Sequence, residues 1–369
     1  MSLIRFDAIR RIDPLFLLGI LALVVVGFFF VYSASYRGDE DTLTTMTRLQ
    51  IRWASLGLIL FLLTVKTDYR NLQGTAPLIY FLCLVLLVLV LVMGVKISGA
   101  YRWLSLMGVR IQPSEFAKLG VLLMLAAYLG QPGRDMRSVK TLVTVLLLAG
   151  IPFALILQQP DLGTAMMLVP MAFVMLFIAG VPIRYLLVMV GIGILLMPLG
   201  WFLLDDYQHE RILVFFDPGR DPRGAGWNKI QSEIAVGSGG LTGKGFLMGT
   251  QNILGFLPRT VAPTDFIFSV IAEEAGFLGS VGVILLYAVL LTRGLRAGIR
   301  SRDVFGRLLC AGMVTLLFGH VFVNMAMTIG LMPITGLPLP LISYGGSFMI
   351  CTMIGLGLIQ SVYARRLPR

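Results

Sequence analysis

A carboxylate at the threshold of a long apolar run is the feature of this chain most in need of a reason. Asp265, in Thr264-Asp265-Phe266-Ile267-Phe268, ends a polar loop (205–264) and opens a segment that is otherwise lipid-compatible to about Thr292. Charge at the edge of hydrocarbon is costly, so such a residue needs a partner or a task. Two readings stand. Asp265 is either a helix N-cap, accepting backbone N–H groups at the positive end of a dipole, or a working acid.

The other groups able to carry chemistry are few. Within or at the ends of apolar spans, the remaining acids singled out are Glu115, Asp161, Glu273 and Glu274. Glu115 and Lys118 are i, i+3 on one helix face, either a structural ion pair or the polar lining of a groove. Asp161, in Gln159-Pro160-Asp161-Leu162-Gly163-Thr164, occupies a helix-entry turn, where capping is the default. On a continuous helix, Glu273 and Glu274 stand about 80° and 180° around from Asp265 and about 12 Å deeper. They are therefore expected to satisfy neighbours such as His320, Asn324 or an arginine, not to pair with Asp265. His320 alone in an apolar span reads as structural. No spacing resembles a zinc site or a Ser-His-Asp set, which leaves carboxylates, basic groups and a transient divalent ion. Gly237-Ser238-Gly239-Gly240-Leu241-Thr242-Gly243-Lys244-Gly245 fails as a P-loop, because Ser238 and Gly245 stand where Gly and Ser/Thr are needed. It is either a tight surface turn or a place where backbone N–H groups and Lys244 meet a phosphate.

What must position these groups is a membrane bundle. The chain is 57% hydrophobic and 13% charged, with a mean hydropathy of +0.88, which excludes a soluble domain. The apolar blocks have spanning length. They predict an all-α polytopic integral membrane protein with ten transmembrane helices near 14–36, 49–66, 72–95, 115–131, 140–158, 162–181, 184–204, 265–292, 308–332 and 341–364. The last two come from one uncharged run, Leu308–Ala364, broken at Met332-Pro333-Ile334-Thr335-Gly336-Leu337-Pro338-Leu339-Pro340. Arginines and lysines in the short loops place both termini inside, so the net charge of +11 is a topology signal rather than a nucleic-acid footprint. Loop 205–264, between helices 7 and 8, then faces out. In it Trp227, Ile230 and Ile234 recur at helical spacing and predict a helix lying on the membrane surface. The first apolar run is read as a retained helix rather than a cleaved leader. Cys83, Cys310 and Cys351 lie in apolar spans and read as packing residues.

Six ordered motifs resemble the SEDS (shape, elongation, division, sporulation) family along essentially the whole chain. They are Gln112-Pro113-Ser114-Glu115-Phe116-Ala117-Lys118; Gln159 to Thr164; Gln231-Ser232-Glu233-Ile234-Ala235-Val236-Gly237-Ser238-Gly239-Gly240 with Gly243-Lys244-Gly245; Thr264 to Phe268; Ala272-Glu273-Glu274; and Pro338-Leu339-Pro340-Leu341-Ile342-Ser343-Tyr344-Gly345-Gly346-Ser347. Gly249-Thr250-Gln251 and Gly336 to Pro340 are similar to the rod-shape (RodA) branch.

The resemblance implies a peptidoglycan glycosyltransferase of the bacterial inner membrane, its site on the periplasmic side. It would polymerise lipid II onto an undecaprenyl-pyrophosphate-linked glycan during elongation. Its partners would be a class B penicillin-binding protein and the elongation machinery. The family's essential acid maps onto Asp265, expected as general base. Lys118 positioned by Glu115, or Lys244 or Arg223, would stabilise negative charge, and Asp161, Gln112, Ser343 and Tyr344 would contact substrate. Mg²⁺ or Mn²⁺ would share that load, although the sequence supplies no ligand set. Two positions depart from the family: Pro263 stands where His is common, and Arg259 follows Pro258 where an acid often does. The rivals are a lipid II flippase, disfavoured by the lack of recognisable inverted repeats with interrupted helices, and a scaffold that only activates a penicillin-binding protein.

Overall fold

The computed structural model describes residues 7–36, 43–97, 100–106, 109–202, 206–222, 224–258 and 260–366. Nine helices among them are long and apolar enough to cross a membrane: Pro14–Ser35, Thr45–Lys66, Asn71–Met93, Val139–Leu157, Leu162–Ala179, Ile183–Trp201, Ile267–Ile299, Val304–Thr328 and Gly346–Ala364. The remaining expected span is Pro113–Leu129, 17 residues long, at the lower end of spanning length and buried along most of its course. Sequence and structure together make this a multi-pass, predominantly helical membrane protein.

Burial sorts these helices by depth in the bundle. Gly346–Ala364 and Val304–Thr328 are largely enclosed by protein, whereas Ile183–Trp201 is apolar all round and buries only Leu186. A helix apolar on every face and unburied in protein needs hydrocarbon around it. Acids at helix ends are more numerous than the sequence reading allowed. Asp13 caps Pro14–Ser35 by accepting from the N–H groups of Leu15 and Phe16 and pairs with Arg293 at 3.3 Å. Asp303 caps Val304–Thr328 through the Gly306 N–H at 2.7 Å and also accepts from the Tyr69 hydroxyl at 2.6 Å. The basic segments between spans thus tie helices together.

Two features were not expected. The segment before Pro113–Leu129 forms a small antiparallel sheet, Val95–Ile97, Ala100–Leu106 and Val109–Ile111, with the second strand central. The long helix Ile267–Ile299 is also not continuous: Gly276 breaks it at φ 67°, ψ −163°. The Gly-rich stretch of loop 205–264 fills that break. N–H groups of Lys244 and Gly245 donate to the carbonyls of Glu273 and Glu274, and those of Phe277 and Leu278 donate to Gly240 and Leu241. Broken helices need such partners, because orphaned carbonyls are expensive away from water. The interruption counted as missing against the flippase reading is therefore present, but it is clamped by four backbone hydrogen bonds. The amphipathic helix of the outer loop runs over Ala225–Ser238, with Trp227, Ile230 and Ile234 exposed and Gln231, Ser232 and Ala235 buried.

Candidate active site

Asp265 is not a helix cap. Phe266 holds the N-cap position of Ile267–Ile299 and makes no side-chain cap hydrogen bond. Asp265 instead sits in a tight turn, its N–H and that of Phe266 both donating to the Val261 carbonyl. This turn is held from outside. The Asn324 amide donates to the Asp265 carbonyl at 2.8 Å and to the Leu337 carbonyl at 2.7 Å. The Ser343 hydroxyl donates to the Thr264 carbonyl at 2.5 Å while accepting from the Leu339 N–H at 2.8 Å. The Tyr344 N–H donates to the Pro263 carbonyl at 2.9 Å. Ser343 and Tyr344, expected as substrate contacts, thus brace the Asp265 turn through its backbone. Pro263 takes part through its carbonyl, which no missing N–H impairs.

Pinning the backbone leaves the Asp265 carboxyl facing a charged recess. Burial pushes it up to about 6, above the ordinary 3.8, opposed by the charges of Arg211 and Arg102 and a hydrogen bond from Thr264, and reinforced by Asp161. Arg102 projects from the central strand to the Gln159 carbonyl at 3.2 Å, to the Pro160 carbonyl, and to Asp161 at 3.7 Å. Asp161 itself caps Leu162–Ala179 through the Thr164 N–H and accepts from the Gln112 amide at 3.2 Å. Asp265, Asp161 and Gln112 are therefore in one neighbourhood. Its cations are Arg102 and Arg211, neither of which the sequence singled out.

The expected cations lie elsewhere. Lys118 pairs with Glu115 at 3.0 Å and meets His320 Nε2 at 2.7 Å, all three buried. Lys118 can only donate, so the ring presents a lone pair at Nε2 and carries its proton on Nδ1. His320 lies one turn from Asn324 on Val304–Thr328, about 6 Å along the axis. The cavity beside this pair, bounded by Lys118, His320, Pro340 and Phe348, measures 20 Å³, room for about one water. Lys244 is committed to Glu273 at 2.6 Å, where Thr250 and the Gln251 N–H also converge. Glu274 accepts from Ser33. The two glutamates thus serve the outer loop and the first helix, not His320 or Asn324. The Gly-rich N–H groups available to a phosphate are correspondingly fewer, since those of Lys244 and Gly245 are used at the helix break. Arg223 and Arg259 lie outside the described residues.

No group of three or more His, Cys, Asp or Glu is placed to hold a metal ion among the described residues.

One buried carboxyl with two guanidiniums beside it pairs a proton acceptor with groups that stabilise negative charge. The family model for FtsW, RodA and SpoVE, described as cell cycle protein, matches residues 14–367. The chain belongs to this family. It is 41% identical over 359 residues to the peptidoglycan glycosyltransferase MrdB of Escherichia coli strain K12, covering 96% of this chain and 94% of that one. A solved chain from a peptidoglycan synthase complex that coordinates polymerization and crosslinking is 36% identical, with a TM-score of 0.82 over 96% of this chain and 98% of that one. The rod-shape-determining protein RodA of Thermus thermophilus is 34% identical, with a TM-score of 0.72, covering 97% and 98%.

Within this FtsW/RodA/SpoVE fold, Asn324 carries the most weight for the least chemistry. Asn324→Ala removes both donors and leaves the carbonyls of Asp265 and Leu337 unmatched, each costing about 1–3 kcal/mol when buried. Amide hydrogen exchange is expected to accelerate at 261–266 and 337–339 while the distant Gly346–Ala364 helix keeps its protection. Unchanged exchange at Asp265 would show that the amide does not hold the turn.

Proposed function

We propose that this protein is a peptidoglycan glycosyltransferase that polymerises lipid II into glycan strands for cell elongation, with Asp265 as general base. The observation that carries the reading is the uncapped Asp265 carboxyl, fixed through its backbone by Asn324 and raised to about 6 beside two arginines. The growing strand, linked through its reducing-end sugar to undecaprenyl pyrophosphate, is the donor. The 4-hydroxyl of incoming lipid II is the acceptor. As the hydroxyl oxygen bonds the anomeric carbon with inversion, its proton passes to Asp265, and the bond to pyrophosphate breaks with the electron pair leaving on phosphate.

Outward placement of loop 205–264, inferred from the basic short loops, puts this chemistry on the periplasmic side. Mg²⁺ or Mn²⁺ would arrive on pyrophosphate oxygens, since such ions bind by one or two carboxylates plus substrate phosphates. The similarity to a chain from a synthase complex supports a crosslinking partner, for which a class B penicillin-binding protein is the fitting chemistry.

The test is polymerisation of labelled lipid II by the purified protein, resolved on gels, beside translocation of the same lipid in liposomes. Polymer formation by this chain alone, with a rate that falls on the acid side of about pH 6, is the expected result. Protonation removes a base, so the sign is loss of rate as pH drops. Translocation without polymer would make it a transporter, and polymer only from an added partner would make it a scaffold.

A further inference from the structure

Gly336 has φ +74°, and a Cβ built on it would meet two atoms within 4 Å: Asp265 Oδ2 at 3.4 Å and Arg211 Nη1 at 3.9 Å. Both are ordinary contact distances, so a methyl group would fit there without displacing backbone. It would, however, take the ground that a carboxylate and a guanidinium both face. The floor beneath that ground is fixed. Leu337 is buried, its carbonyl is held by Asn324, and its side chain packs on Gly163, where a Cβ would lie 3.2 Å from Leu337 Cγ. Arg211 comes from the outer-loop helix Asp206–Phe216, so the two charged groups reach this point from separate elements.

A guanidinium is the side chain best shaped for phosphate, offering two parallel N–H donors and a charge that does not titrate away. A bare Cα is the device by which a protein lets a ligand approach its backbone. We propose that the space over Gly336 takes the reacting sugar carbon, with the acceptor hydroxyl on its Asp265 side and the departing phosphate oxygen on its Arg211 side, Arg211 stabilising the departing pyrophosphate and Gly336 keeping the space open. This inference rests on the glycosyl-transfer reading. The hydroxyl proton goes to Asp265 and the negative charge develops against Arg211, so the two groups divide one bond exchange between them.

Gly133 supplies a matched control. Its φ is +75°, and nothing lies within 4 Å of a Cβ built there. Gly133→Ala and Gly336→Ala therefore both place a side chain at the same positive φ, and only the second puts it beside Asp265 and Arg211. With full-length protein and labelled lipid II, Gly133→Ala is expected to keep the wild-type rate. Gly336→Ala should lose about 10²-fold in kcat/KM, the scale of a misplaced reactant. Arg211→Gln should lose about 10²–10³-fold, as for a missing transition-state donor, with Arg211→Lys recovering part. Inhibition by added undecaprenyl pyrophosphate should weaken in Arg211→Gln, and its acid limb should move to higher pH because a neighbouring positive charge has gone. Equal rates for the two alanine variants would overturn the role of Gly336. Unchanged inhibition and an unchanged acid limb in Arg211→Gln would overturn that of Arg211, even if Gly336→Ala fails to fold. Wild-type protein that makes no polymer would instead overturn the underlying reading.

Discussion

Asp265→Asn is expected to lower lipid II polymerisation by about 10²–10⁴-fold, the usual worth of a general base, without lowering the stability of the protein. The second half of that expectation is the more discriminating. An N-cap Asp replaced by a non-capping residue costs about 1 kcal/mol, but Asp265 caps nothing, and asparagine has its volume. Its carboxyl is raised to about 6 from an ordinary 3.8. A group raised in this way contributes stability that is complete below 3.8 and lost as pH rises through about 6. At pH 7.5 the folded protein thus bears the cost of a charge it would rather not hold, and Asp265→Asn relieves it. Thermal unfolding at pH 7.5 should give a Tm equal to or above that of the wild type, the difference shrinking toward pH 5. An inactive variant with a clearly lower Tm at pH 7.5 would return Asp265 to a structural role, and an active one would end the general-base assignment.

What the sequence could and could not reveal follows from the range of each interaction. Helices were legible because length and hydropathy are local. Asp265 was legible because an acid at a hydrocarbon edge is conspicuous without knowing its neighbours. Arg102 and Arg211 were not, since each is one basic residue among several in polar segments. Only the antiparallel pairing of Ala100–Leu106 and the packing of Asp206–Phe216 bring them toward Asp265. Arg102 did leave a faint trace, alternating with Tyr101 and Trp103 in a short stretch flanked by glycines in the sequence. Asn324 stood out only as a partner expected for Glu273 and Glu274, because its actual role is to join two carbonyls from segments 59 and 13 residues away. The Gly-rich stretch misled in a different way. Its glycines allow close approach, as read, but the approaching group is the protein's own broken helix. Gly239 would place a Cβ 1.9 Å from the Ala272 carbonyl oxygen and Gly243 one 2.1 Å from that of Glu274.

That interlock leads to the second large effect, which is structural. The residue at the break, Gly276, adopts φ 67°, ψ −163°, a region occupied almost only by glycine and costing about 1–3 kcal/mol for other residues. A Cβ there would also lie 2.3 Å from the Gly243 nitrogen and 2.8 Å from the Leu241 carbonyl oxygen. Both neighbours are backbone, so nothing can rotate aside. Gly276→Ala must either straighten the helix or expel the loop, and both give up the hydrogen bonds that Lys244, Gly245, Phe277 and Leu278 donate across the break. Strain and lost pairing together put the cost above about 4 kcal/mol, in the range reserved for single substitutions with a specific cause. Gly282→Ala, six residues on in the same helix with nothing within 4 Å of its Cβ, should be neutral or gain up to about 1 kcal/mol from helix propensity. Thermal unfolding of the two variants separates them cleanly, and equal Tm values would mean that the clamp contributes nothing. The consequence reaches the recess as well. The segment from Ile267 to the break carries Asp265 at its head and Glu273 and Glu274 at its foot, and those glutamates are tied to Lys244 and Ser33. A carboxylate meant to collect one proton at one hydroxyl needs its backbone held at both ends. Asn324 holds the near end and the Gly276 interlock the far one, so Gly276→Ala should cost polymerisation even in molecules that remain folded.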